Sequence, residues 1–80
     1  HIRFLYRGPS LEAVLDRLPT AKAKAQKDGS FLITDVIRGD GILMWLLSQG
    51  KRVKMLSPTS LREKWLKEAE AICLENEEKE

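Results

Sequence analysis

The 80-residue sequence has little of the chemistry on which enzymes and metal proteins depend. It contains one cysteine, Cys73, and one histidine, His1. These numbers exclude a disulfide within the chain, a metal site built from cysteine or histidine, and a Ser-His-Asp triad. We therefore expect no catalytic residues, no metal and no cofactor, and the near absence of cysteine predicts an intracellular protein.

Long hydrophobic runs are also missing. No segment approaches the ~20 apolar residues that a membrane-spanning helix requires, and the first residues lack the pattern of a signal peptide. These absences predict a cytoplasmic chain without membrane contact. Because the sequence begins at His1 rather than methionine, we expect it to be part of a longer protein.

Charge is present but unevenly distributed. The net charge is +2; residues 1–60 hold ten Lys and Arg against five Asp and Glu, whereas residues 61–80 hold four against seven. The final stretch, ENEEKE, is predicted to be a frayed and solvated helix end. The folded domain is therefore predicted to span residues 1–74, with residues 75–80 as a charged tail.

Alternation of polar and apolar residues predicts strands. One strand is predicted over residues 1–6, a hairpin over 20–38 and a further strand over 51–56. Asp28 and Gly29 are predicted to form a type I′ turn, in which both central residues have positive φ. The residues predicted to face inward are Ile2, Phe4, Tyr6, Ala21, Ala23, Ala25, Phe31, Ile33, Ile37, Val53 and Met55.

Apolar residues spaced three and four apart predict helices. A first helix is predicted to begin after Ser10 as N-cap and to end before Pro19. The last helix is predicted to begin with Ser57 as N-cap and Pro58 in its first position. Its predicted apolar stripe comprises Leu61, Trp65, Ala69, Ile72 and Cys73. This position predicts that the cysteine is a small buried hydrophobe.

The segment between these elements predicts a short, strongly apolar helix over residues 41–49. Asp40 is its predicted N-cap, and the glycine at position 50 is its predicted terminator. One apolar stripe of this helix is predicted to cover the sheet, and it consists of Ile42, Trp45 and Leu46. A second, formed by Leu43 and Leu47, needs another neighbour, which is either the last helix of the same chain, a second subunit or a preceding domain.

The order of elements, β-α-β-β-α-β-α, predicts an α+β fold. Its first six elements match the ferredoxin-like βαββαβ arrangement, a four-stranded antiparallel sheet with helices on one face, to which a C-terminal helix is added. Alternation places Asp35 on the inner face. We expect either a bulge that turns it outward or a carboxylate at the edge of the core that has a bonding partner.

The outer face of the predicted sheet is basic. A nucleic-acid or ligand contact is one interpretation, and its candidate residues are Arg3, Arg7, Lys22, Lys24, Arg38, Arg52 and Lys54. The aromatic side chains are predicted to point inward, so this face offers no platform for base stacking. Aliphatic residues ringed by cations favour a protein interface instead; its candidate residues, together with the second helix stripe, are Leu5, Leu32, Val36, Leu56, Leu43 and Leu47.

Several blocks of the sequence together resemble the C-terminal extension of the WYL-domain bacterial transcriptional regulators. These blocks are SLEAVLDRLPTAKA, DGSFLIT, RGDGILMWLLSQG, VKMLSP and SLREKWLKEAE, and they span about residues 2–74. The resemblance implies an upstream winged helix-turn-helix that binds DNA, a WYL barrel that senses a ligand, and an extension that takes part in dimerisation and regulation. It therefore implies a homodimer that contacts DNA through the missing N-terminal domain. The family usually has a small residue where this chain has Asp35.

Two other classes of function provide alternatives. Small-molecule modules similar to ACT domains share the predicted topology; a preformed pocket at the edge of the helical layer favours them, whereas a flat, filled surface favours assembly. The segment RGPS is similar to the anion-binding loop of acylphosphatases, but the sole asparagine, Asn76, lies in the tail. We therefore expect no enzyme activity.

Overall fold

The computed structural model of the chain describes residues 1–37 and 41–77. It shows an α+β fold. Its elements are β1 (Ile2–Tyr6), α1 (Leu11–Arg17), β2 (Lys22–Ala25), β3 (Phe31–Asp35), α2 (Ile42–Ser48), a 3-10 turn (Gly50–Arg52), β4 (Val53–Ser57) and α3 (Thr59–Glu75). The strand order is β2-β3-β1-β4, and every neighbouring pair is antiparallel. This arrangement confirms the ferredoxin-like prediction. Among the described residues, no helix combines the length and the apolar character needed to cross a membrane.

The core lies between one face of the sheet and the helices. Its buried apolar residues, from all elements except β2, are Ile2, Phe4, Tyr6, Val14, Leu18, Ile33, Ile42, Leu46, Val53, Met55 and Leu61. Phe31 and Ile37 are partly buried and pack against this cluster. Trp45 meets the ring of Phe4 edge-on, with 6.3 Å between the ring centroids. The predicted inner face is therefore confirmed on three of the four strands.

The alanines of β2 lie on the predicted face of the sheet, but two of them are not covered. Ala23 and Ala25 are exposed, as are the other residues of that strand, and only Ala21, just before it, packs against the core. The register places Ala23 beside Ile33 and Ala25 beside Phe31, so the predicted face is correct. The helical layer does not cover this edge strand, because alternation fixes the side to which a residue points but not what lies above it.

The hairpin turn also differs from the prediction. Gly29 has φ +88°, whereas no residue other than glycine among the described residues has positive φ, so the turn is not type I′. The Gly29 N–H donates to the carbonyl of Gln26 (3.2 Å), and the Gln26 N–H donates to the carbonyl of Ser30 (2.8 Å). This is the longer hairpin loop, in which a turn is followed by glycine in the left-handed region.

Two of the predicted helix starts can be compared with the structure. The Ser10 hydroxyl accepts a hydrogen bond from the Ala13 N–H (3.2 Å), which confirms it as the N-cap of α1. The predicted start of α3 was wrong by one residue. Ser57 remains in β4, where it pairs with Arg3, and the carbonyl of Pro58 accepts the first helical bond from the Arg62 N–H (3.0 Å).

The ends of α2 and the start of β4 complete the comparison. The predicted cap Asp40 lies outside the described residues, and so does Arg38. Gly50 has φ +57°, in agreement with its predicted place at the end of the helix. Arg52 belongs to the 3-10 turn and not to the strand that was predicted to contain it, because the left-handed glycine leads into a further turn before the chain becomes extended.

Candidate functional site

The uncovered side of the sheet carries a basic surface with an aliphatic centre. We call it the outer sheet face and define it by the outward-facing residues of the four strands: Arg3, Leu5, Lys22, Lys24, Leu32, Thr34, Lys54, Leu56 and Ser57. Leu5 pairs with Leu32 across β1 and β3. Lys24 is the neighbour of Leu32 on one side, and Lys54 is the neighbour of Leu5 on the other. A row of Lys-Leu-Leu-Lys therefore crosses the sheet, with its apolar pair in the middle.

The adjacent row is polar. Lys22 pairs with Thr34, Thr34 with Arg3, and Arg3 with Ser57. Between Arg3 and Phe4 the register on β4 shifts by one residue, which leaves Leu56 as the extra residue of a β-bulge. Leu56 is half-buried, as are the two leucines of the first row. The bulge thus adds a third aliphatic side chain beside the central pair.

The charges of this face are uncompensated. Arg3, Lys22, Lys24 and Lys54 are exposed, and within the described part of the chain none of them forms an ion pair. The outward-facing strand residues include no carboxylate. A surface with four cations and no anion produces a positive potential that attracts an acidic partner.

Two further predicted cations lie near one end of the sheet. Arg7 follows β1, and its backbone N–H donates to the carbonyl of Arg52 (2.7 Å). The Arg7 guanidinium lies 3.7 Å from the carboxylate of Asp28, and both side chains are about half exposed. Hydrogen bonds from Ser30 and, secondarily, the Arg7 charge lower the pKa of Asp28. Arg7 is thus partly compensated, unlike the four cations of the strands.

The C-terminal part of α3 extends beyond the core, and sequence reasoning missed this. Leu61 is buried, and Trp65 and Ala69 are half-buried, but every residue from 70 to 77 is exposed. Ile72 and Cys73, predicted to be buried, are therefore exposed. Their positions continue the stripe correctly, but the sheet and α2 end before the helix does. The difference in length indicates this extension, because a helix of 17 residues is longer than the strands of four or five residues in the sheet.

We call residues 66–77, which are the last ten residues of α3 and the two that follow it, the projecting half of α3. Three of its large apolar side chains are well exposed: Leu66 at 44%, Ile72 at 52% and Leu74 at 58%. Four glutamates, at positions 68, 70, 75 and 77, face one lysine at position 67. This segment is acidic and partly apolar, in contrast to the outer sheet face.

The second stripe of α2 is only partly explained by contacts within the chain. α2 and α3 pack together, and Leu43 and Trp65 both pack against the core. Leu47 is half-buried but does not belong to the core cluster. Met44 on the remaining side is 72% exposed. The Nε1 of Trp65 is buried and has no hydrogen-bond acceptor among the described residues.

A shallow hollow of about 340 Å³ lies at one end of the sheet, beside Arg3, Lys22 and Asp35. The Asp35 carboxylate accepts hydrogen bonds from the Thr20 hydroxyl (2.7 Å) and from the Val36 N–H (2.8 Å). Its pairing with Ile2 keeps it on the inner face, so the edge-of-core alternative is confirmed. Val36, just beyond β3, is exposed and also lines this hollow.

The start of α1 has a structural explanation. A Cβ atom at Gly8 would clash with the hydroxyl end of the buried Tyr6 ring, so the ring requires glycine at this position. The Ser10 hydroxyl is used as a helix cap.

No cluster of three His, Cys, Asp or Glu side chains suited to a metal ion occurs in the parts of the chain that the structure describes.

Comparison with known proteins identifies one family. The profile of the WCX domain matches residues 1–73, which is nearly the whole chain. The match confirms the resemblance seen in the sequence for the extension itself. Neither a curated protein nor a solved structure matches the chain.

Proposed function

Because the chain belongs to the WCX domain family, the C-terminal domain associated with WYL regulators, we propose that it is the regulatory and dimerisation module of a bacterial transcription factor. In this proposal an upstream helix-turn-helix domain binds DNA and a WYL domain senses an effector. The present domain couples the two through contacts between subunits. WCX is a family associated with regulation rather than with catalysis, so the coupling requires no chemistry in this domain.

The observation that carries the proposal is the composition of the outer sheet face. Leu5, Leu32 and Leu56 are half-buried in the single chain, and cations surround them. A protein interface of moderate strength has an apolar centre that loses water and a polar rim that stays wet. The outer sheet face has this order of residues across its strands, and no element of the described chain covers it.

A nucleic-acid contact explains the same surface less well. Phe4 and Tyr6 are buried on the opposite face, so the sheet offers no aromatic ring for base stacking. The four strand cations permit only a nonspecific attraction, which weakens steeply with salt. If the isolated chain shows no binding to labelled DNA or RNA at low salt, this alternative is excluded.

A small-molecule site is favoured by one observation, the hollow beside Asp35. A second hollow, of about 320 Å³, lies on its other side between the end of α1 and the start of α2. Both share Thr20, Asp35 and Val36. If the domain is a small-molecule module similar to ACT domains, Asp35→Ala should abolish the response of the regulator to its effector. If the domain serves assembly, the response should persist.

The proposal is tested in the intact regulator by placing a charge in the apolar centre. Leu5→Asp should convert a dimer into a monomer, as measured by light scattering, and should change repression in a reporter assay. Burying this carboxylate against Leu32 and the partner surface costs several kcal/mol, and the neighbouring Lys54 offsets only part of that cost.

The matched control is Met44→Asp, which introduces the same charge at an exposed position on α2, on the opposite side of the sheet. Thermal unfolding of each variant establishes that it is folded. A folded Leu5→Asp regulator that stays dimeric and fully regulated would show that the outer sheet face is not the coupling surface. Loss of dimerisation in both variants would assign the effect to charge in general.

A further inference from the structure

We propose that the projecting half of α3 from one copy of the chain lies across the outer sheet face of a second copy, and that the contact is reciprocal. This inference rests on the proposed function, in which that face is an assembly surface, and it names the segment that occupies it. The observation behind it is that one chain carries two uncovered surfaces of opposite charge, each with an apolar component.

The projecting half of α3 needs a neighbour. A helix of this length is marginal in water without a packed face, since helical stability in proteins comes mostly from burial. Residues 70–77 bury none of their side chains within the chain, although Ile72 and Leu74 are large and apolar. The stripe that packs at Leu61 and Trp65 continues to Ile72 and Cys73, where no partner element exists among the described residues.

The charges indicate which surface this neighbour provides. The projecting half carries four glutamates and one lysine, and the outer sheet face carries four cations and no carboxylate. Two outer sheet faces, or two projecting halves, repel each other. The attractive combination brings the helix of one copy to the sheet of the other, with Leu66, Ile72 and Leu74 available for the leucines of the sheet.

The dimensions also agree. The ten helical residues of this segment are about 15 Å long, and strands of five residues are about 17 Å long with a total width of about 14 Å across four strands. One such contact is smaller than the ~800 Å² per partner that is usual for a specific interface. In a two-fold dimer the contact occurs twice, because each copy supplies one helix and one sheet.

The test exchanges the charges of the two surfaces in the 80-residue chain. Lys24→Glu with Lys54→Glu removes the net positive charge of the sheet and makes its Lys-Leu-Leu-Lys row acidic, and Glu68→Lys with Glu75→Lys makes the helix basic. Each double variant alone should weaken self-association by at least about tenfold in sedimentation equilibrium, since the charge complementarity between helix and sheet is then lost in both contacts. An equimolar mixture should form heterodimers with an affinity within about threefold of the wild-type value, because opposite charges meet again.

Two control variants carry the same charge changes away from these surfaces. Lys27→Glu with Lys51→Glu matches the first variant, and Glu12→Lys with Glu63→Lys matches the second; all four residues are exposed. Both controls should associate like the wild type. Circular dichroism of all variants establishes that they are folded.

Three results would overturn the inference. A wild-type chain that is monomeric at millimolar concentration excludes the contact, and so does a mixture that fails to restore association. Wild-type association of either double variant shows that a different pair of surfaces meets. If Leu5→Asp still abolishes dimerisation of the intact regulator, the proposed function stands and only the occupant of the outer sheet face is wrong.

Discussion

At the scale of single residues, two aspartates accept hydrogen bonds from hydroxyl groups. Asp35, the last residue of β3, accepts one from Thr20, and Asp28, in the hairpin loop before β3, accepts one from Ser30. The sequence left two alternatives for Asp35, a bulge that turns it outward or a position at the edge of the core, and its pairing with Ile2 selects the second. It did not predict Thr20 as the partner, since this residue is fifteen positions away and is brought close only by the path from α1 into β2. Such a contact depends on loop geometry, on which residue periodicity carries no information.

Asp28 provides a prediction about pH. Its carboxylate accepts hydrogen bonds from the hydroxyl (2.6 Å) and the N–H (2.9 Å) of Ser30, which lower its pKa. A carboxylate whose pKa is lower in the folded state stabilises that state above its unfolded pKa of about 3.9, and this stabilisation is lost as the pH falls through the folded value. We expect Asp28→Asn to be less stable than the wild type at pH 7, and the difference to shrink below about pH 4.

Urea unfolding from pH 7 to pH 2 measures this difference. The control, Asp16→Asn, removes an exposed carboxylate from α1, and the Asp16 carboxylate has no hydrogen bond to Ser30. The control should lack the convergence with the wild type that Asp28→Asn shows. A constant difference between Asp28→Asn and the wild type over the whole range would contradict the prediction.

At the scale of elements, the sequence predicted the identity and order of all strands and helices, but not which surfaces are covered. The helix α2 shows the success. Its spacing predicted that Ile42 and Leu46 face the sheet, and both are buried. β2 and the end of α3 show the failure, because their patterns match covered elements while the neighbouring elements stop short of them. Coverage depends on the relative lengths and positions of elements, which are properties of the assembled fold.

The two sides of α2 give a matched prediction about stability. Leu46 has no exposed surface, and Met44, two residues earlier, is 72% exposed. We expect Leu46→Ala to lower the free energy of unfolding by about 2–5 kcal/mol, from the lost burial and the cavity left behind. Met44→Ala should change it by less than about 0.5 kcal/mol. Urea titrations followed by tryptophan fluorescence measure both, and equal effects would show that α2 is oriented differently.

At the scale of the whole molecule, the chain combines a compact sandwich with an extension. The principal dimensions of 45 × 27 × 20 Å describe a body much longer in one direction than in the others. The sandwich accounts for the folding of the chain, because the buried residues of the described chain all lie between Ile2 and Leu61. The projecting half of α3 and the outer sheet face contribute little to that core. Core packing therefore does not constrain their composition, which can be suited to association. The fold was predictable because it depends on the core, whereas the proposed interface depends on residues that the core leaves unconstrained.

This division predicts that folding and association can be separated by truncation. A chain that ends at Ala69 retains every buried residue and loses only the exposed end of α3 and the residues after it. Its free energy of unfolding should stay within about 1 kcal/mol of the full chain, because tolerance to truncation follows burial. Leu61→Ala, on the packed part of the same helix, should cost about 2–5 kcal/mol. Sedimentation equilibrium should show that the truncated chain is monomeric where the full chain associates, and a truncated chain that still dimerises would place the contact entirely within the sandwich.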